Sequence, residues 1–177
     1  WKNTIFFGYD TGFLEAAAWA KDQGAATIVC QMDPSQVEVD MVREEERIWP
    51  GWAKSPLLVP DEYLVWRKAE WALADLVMVN SKWTLDALVR LGVPSEKIAI
   101  VPLAYEPEEI DTEKTPRPDG PLRVLYLGQV NIRKGIQYLL EAARKLDRKK
   151  FRFDVAGPIS IADEHVVTAP ANVTFHG

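Results

Sequence analysis

Short apolar runs alternate with longer helical patterns through the first hundred residues, and that alternation leaves the chain few folds to choose from. Thr4–Gly8, Ala25–Gln31, Leu76–Asn80 and Ile98–Val101 have the length and β-branched or aromatic content of buried strands. Gly12–Gln23, Asp61–Asp75 and Ser81–Leu91 read as the helices between them. Strand, helix, strand in repetition predicts an α/β protein, with parallel sheets flanked by helices. The punctuation agrees. Asp61 and Ser81 are candidate N-caps, Gly24 and Gly92 follow helix ends, and Val93-Pro94 stops the last helix. Gln36–Ile48 reads as a further helix whose Glu44-Glu45-Glu46 run is a solvated face, and the stretch from Pro50 to Pro60 reads as a loop.

Residues 106–121 contain one aliphatic side chain, four prolines and one glycine, which is the composition of a stiff linker. After it the pattern restarts. Leu122–Leu127 is a strand, and Ile136–Leu146 is a helix with Ile136, Leu139, Leu140 and Ala143 along one face. Phe151-Arg152-Phe153-Asp154-Val155 alternates as a second strand. Charge changes at the same place: residues 1–105 carry 15 acids and 10 bases, 106–120 carry 6 and 2, and 121–177 carry 5 and 9. All 7 tryptophans precede the change. The expected division is therefore 1–105, a linker at 106–121, and 122–177. The last segment is short for an α/β unit, which usually needs ~100–150 residues to bury both faces of its sheet. With no Met at position 1, the chain reads as an excerpt of a longer protein.

With 47% hydrophobic and 27% charged residues, the 177-residue chain has the composition of a folded protein. No apolar stretch approaches the roughly 18 residues needed to span a bilayer, and Trp1-Lys2-Asn3-Thr4 does not begin a signal peptide. Cys30 is the only cysteine, so no intrachain disulfide forms, and a cytoplasmic setting is expected. Trp66, Trp71, Arg67 and Lys68 share one helix and have two readings. They form a membrane-interface face of a peripheral enzyme, or they pack on the sheet, as expected of Trp71 at least. The basic run Arg144, Lys145, Arg148, Lys149, Lys150 and Arg152 lies at a helix C-terminus, where cations are favourable, and does not imply nucleic acid. His165 and His176 stand apart from other metal-ligating residues and read as surface or strand-end residues. No metal cofactor is expected.

One segment carries chemistry. Gly128-Gln129-Val130-Asn131-Ile132-Arg133-Lys134-Gly135 leaves a strand at a glycine, passes two adjacent cations and opens a helix. Backbone N–H groups at a helix start are unpaired and partially positive, so Arg133 and Lys134 complete a site for a phosphate or diphosphate. Gly8-Tyr9-Asp10-Thr11-Gly12 also joins a strand to a helix. It reads either as a structural turn or as a loop lining an acceptor cleft, with Gly8, Asp10, Thr11 and Gly12 as candidates.

Ala74–Ser81, Leu91–Ile98 followed by Val101-Pro102, and Val124–Gly128 continuing through Arg133-Lys134-Gly135 to Tyr138–Ala142 together resemble the retaining glycosyltransferases of family 4 type, the glycosyl transferase group 1 proteins. The resemblance spans nearly the whole chain. It implies the GT-B architecture, two Rossmann-like lobes that are both incomplete here, and transfer of a sugar from a nucleotide-diphosphate donor to a sugar, lipid or small-molecule acceptor without a metal. By the same resemblance Gly128, Gln129, Arg133 and Lys134 bind the donor diphosphate. Gln129 stands where many members have Arg. Asp33 stands in the region where the family often places a His, and is the candidate catalytic replacement. The family's Glu-x7-Glu motif would lie beyond Gly177, so this excerpt alone is expected to be inactive. Two alternatives stay open: a non-catalytic sugar-nucleotide or phospho-ligand binding module, and another GT-B enzyme such as a phosphorylase or epimerase.

Overall fold

The computed structural model describes residues 3–106 and 119–177. The greater part of the expected linker therefore lies outside the described residues. In chain order the elements are β1 (Ile5–Tyr9), α1 (Leu14–Asp22), β2 (Ala26–Gln31), α2 (Gln36–Ile48), α3 (Tyr63–Leu73), β3 (Leu76–Val79), α4 (Lys82–Arg90) and β4 (Ile98–Ile100). These are followed by β5 (Leu122–Leu127), α5 (Ile136–Lys145), β6 (Phe151–Ala156), α6 (Asp163–Val167) and β7 (Val173–Phe175). The strands form two all-parallel sheets, β1-β2-β3-β4 and β5-β6-β7, flanked by helices. The chain is α/β, as its alternation predicts.

Backbone proximity divides the chain into two units, Trp1–Asp40 with Leu58–Glu109 and Met41–Leu57 with Ile110–Gly177. In the first, Phe13 and Ala17 of the α1 region, Trp71 of α3 and Leu88 of α4 close on Val29, Val77 and Val79 of the sheet. Fully burying a side chain such as Leu88 stabilises by roughly 1.5–3 kcal/mol. Alternate residues Ile5, Phe7 and Tyr9 of β1 point to the other face and are exposed. Ser81 caps α4, its Oγ accepting the Thr84 N–H at 3.2 Å. Asp61 does not cap α3. The helix starts at Tyr63 behind Glu62, with no side-chain cap bond.

The second unit is built on Ile136 and Leu140 of α5, which pack with Val130, Ile132, Val155 and Ile161. Residues 41–57 join it, which the sequence division at 105 did not anticipate. Trp52 lies in that same apolar cluster with Trp49 against it, and Trp52 stacks on His165 with ring centroids 3.9 Å apart. A short α/β segment lacks cover for its sheet, and this loop supplies apolar surface to it. The glutamate run is accordingly not a uniformly solvated face. Glu45 accepts hydrogen bonds from Gln137 Nε2 and Tyr138 Oη, and Glu46 accepts the Leu57 N–H. Among the described residues no helix is long and apolar enough to cross a membrane.

Candidate functional site

The second unit's junction between β5 and α5 is set by backbone first. Gly128 has φ 145°, and a Cβ built on Gly157, at φ 136°, would collide with the Gly128 carbonyl oxygen. Only glycines allow the ends of β5 and β6 to approach this closely. Beyond Gly128, Tyr126 Oη donates to the Gln129 carbonyl at 2.7 Å, and Asn131 Nδ2 donates to Gln129 Oε1 at 3.3 Å. Asn131 Oδ1 accepts the Lys134 N–H at 3.0 Å and so caps a 3-10 turn, Ile132–Lys134. Gly135, left-handed at φ 77°, then swings the chain into α5.

Gln137 holds this turn from beneath. Its side chain is buried, and Nε2 donates to the Ile132 carbonyl at 3.2 Å and to Glu45 at 3.1 Å. Arg133 and Lys134 are the exposed residues of the turn and lie just before the first helical residue. Two cations are thus carried on a fixed loop at the C-terminal edge of a parallel sheet. That is the edge at which α/β proteins receive ligands. The arrangement can hold an anion by charge and by N–H donors at the helix start.

The first unit has a different edge. A cavity of about 750 Å³ opens beyond the C-terminal ends of its strands, lined by Tyr9, Cys30 and Met78 on the sheet and by Met32, Val101 and Leu103 on the connecting segments. Asp10, Thr11 and Gln31 also line it, so two of the four acceptor-loop candidates reach a cavity. Gly8 does not. It lies against the Phe13 and Phe6 rings, and its lack of a side chain serves packing. Gly12 is not among the lining residues either.

Asp10 belongs to a buried polar cluster that the sequence did not reveal. Arg67 of α3, 2% exposed, places Nη1 3.3 Å from Asp10 Oδ2 and Nη2 3.0 Å from Glu70 Oε2. Gln31 Nε2 donates to Asp10 Oδ2 at 2.8 Å, and Trp71 Nε1 donates to Gln31 Oε1 at 2.8 Å. The Glu70 carboxylate accepts the N–H groups of Thr11 and Phe13, at 3.4 and 3.3 Å, where α1 begins. Burial, more than the neighbouring Asp33, raises the Asp10 carboxyl from 3.8 to about 6 despite the opposing Arg67 charge. Burial also pushes the Glu70 carboxyl up, and it pushes the Cys30 thiol up, with the Asp10 charge adding to the latter.

Asp33 is occupied with local structure. Its Oδ1 accepts the Ser35 N–H at 2.7 Å and Gln31 Nε2 at 3.3 Å, fixing the turn into α2. On α3, Arg67 and Trp71 are buried while Trp66 and Lys68 are exposed, so these four do not form one face toward a membrane. His176 is a strand-end residue, its Nε2 2.9 Å from Asp154. No metal-holding group of His, Cys, Asp and Glu occurs among the described residues. The spacing of Arg67, Glu70 and Trp71 on one helix turn, with a charged pair flanked by apolar residues, was the available signal for the cluster. Its partner Asp10 is too distant in sequence to be inferred. No family model, curated protein or solved structure matches the chain.

Proposed function

We propose that this chain belongs to a retaining, nucleotide-sugar-dependent glycosyltransferase of GT-B architecture. The first unit belongs to its acceptor lobe and the second opens its donor lobe. The observation that carries the reading is the basic 3-10 turn at Arg133 and Lys134, held by Asn131 and Gln137 after a strand that ends at Gly128. As the bond from sugar to diphosphate breaks, negative charge builds on the leaving group. Cations already in position stabilise that state more than the ground state and need no metal to do so. Gln129 contributes a neutral amide in place of a further cation.

The test is calorimetric titration of the full-length protein with a panel of nucleotide-diphosphate sugars in the presence of a chelator. Arg133→Ala and Lys134→Ala are each expected to weaken the donor by about 10–100-fold, the range for one charge-assisted hydrogen bond. Parent-like binding of every donor by both variants would remove the site assignment. Binding that disappears with the chelator would remove the metal-independent mechanism.

A further inference from the structure

The first unit's cavity differs chemically from a phosphate site. Among the described residues no Lys or Arg lines it, and the lining is mostly apolar, with Tyr9, Met32, Met78, Val101 and Leu103 beside the polar Thr11, Gln31 and Asn80. Among the described residues the carboxylate that lines it is Asp10, 7% exposed. The charged groups facing Asp10 are Arg67 and Glu70 from α3 and Asp33 from the segment after β2; Asp10 and Glu70 share the Arg67 guanidinium, and Asp33 adds a further negative charge. A buried cluster with more carboxylates than cations accepts a further hydrogen bond and repels an anion, because little water screens it.

We propose that this cavity holds the acceptor of the transfer, and that the acceptor is an alcohol with an apolar body whose hydroxyl donates to the Asp10 carboxylate. The assignment rests on the glycosyltransferase reading for the word acceptor. The ligand chemistry rests on the cavity alone. The apolar body lies along Tyr9, Met32 and Met78, and its burial supplies affinity at ~0.8 kcal/mol per buried methylene. Asp10 supplies selection by charge: an alcohol or alkylammonium head is accepted, and a carboxylate or phosphate head is turned away.

The chain's single cysteine provides the readout, since Cys30 lines the same cavity. Full-length protein is treated with iodoacetamide at pH 8.5, without any donor, in the presence of octan-1-ol, octylammonium or octanoate, and Cys30 alkylation is followed by mass spectrometry. Octan-1-ol and octylammonium are expected to slow alkylation about 10-fold at saturation, and octanoate to leave it unchanged. Asp10→Asn should lower the alcohol-over-carboxylate preference by ~10-fold. Met32→Trp, at a rim position 57% exposed and so tolerant of a larger ring, should abolish protection by filling the space. Equal protection by octanoate, or protection that survives Met32→Trp, would overturn the proposal. So would a Cys30 thiol that stays unreactive without any probe even as the pH is raised to ~10.5, because its raised pKa would no longer account for the silence and protein would already fill the cavity. Because no donor is present, this outcome is independent of the Arg133 and Lys134 titration, and either reading can fail alone.

Discussion

Both sheets end in a strand, a loop and a helix, and the two junctions carry opposite charge. At the first, the Glu70 carboxylate accepts the Thr11 and Phe13 amides at the start of α1, so the protein's own side chain fills the place where a bound anion would sit. At the second, the neutral oxygen of Asn131 caps the turn, and Arg133 and Lys134 stand exposed beside it. The same local architecture is filled by the protein's own carboxylate in one unit and carries two exposed cations in the other. What a βα junction binds is decided by the side chains placed on it, not by the fold.

The largest effect is expected where the acidic junction is deprived of its counter-ion. Arg67→Ala leaves Asp10 and Glu70 buried without a cation, and should destabilise by about 3–5 kcal/mol. Urea denaturation followed by tryptophan fluorescence reads this directly, because Trp71 is buried in the same unit. A loss under ~1 kcal/mol, the worth of an exposed pair, would mean that water reaches the cluster.

Next comes the backbone of the basic junction. Gly157→Ala drives a methyl group into the Gly128 carbonyl at a positive φ, for which overpacking and strain together cost roughly 2–4 kcal/mol. Donor binding by the second unit should fall while Cys30 reactivity in the first stays as in the parent. Equal loss at both would show that the two edges are not independent.

The parts legible in the sequence were those determined locally. The apolar runs became strands in the positions expected, Ser81 became a cap, and Gly24 and Gly92 adopted positive φ after their helices. Each depends on neighbours within a turn or two of chain. The Asp10–Arg67 contact, the Glu45 bonds to Gln137 and Tyr138, and the docking of Trp52 on His165 join residues far apart in sequence. Asp10, Arg67, Glu45 and Gln137 fit a solvated surface equally well, and the type of Trp52 does not say which sheet it covers, so nothing local fixes these contacts. The basic turn was legible because glycine, cations and helix start are contiguous.

A pH experiment sharpens the acidic side. Between 3.8 and about 6 the unfolded chain releases the Asp10 proton while the folded chain keeps it, so Asp10's contribution to stability is full below that window and is lost as pH rises through it. Asp10→Asn removes the titration but leaves Glu70 and Asp33 in place. The stability of the variant relative to the parent should therefore rise from pH 4 to pH 7 by no more than roughly 3 kcal/mol, then level off. A difference that stays flat across this range would place the Asp10 carboxyl near its ordinary value and remove the case for its desolvation.

The smallest effect tests whether the basic junction's rigidity matters apart from its charge. Asn131→Ala removes the oxygen that accepts the Lys134 N–H and the amide that orients Gln129, at a cost of ~1 kcal/mol typical of a lost cap. Neither cation is touched. If prepositioning is what the turn supplies, donor affinity should drop several-fold while the salt dependence of binding, which counts charges, stays the same. Unchanged affinity would assign the work to charge alone, and the contrast between the junctions would then reduce to which residues are ionised at each.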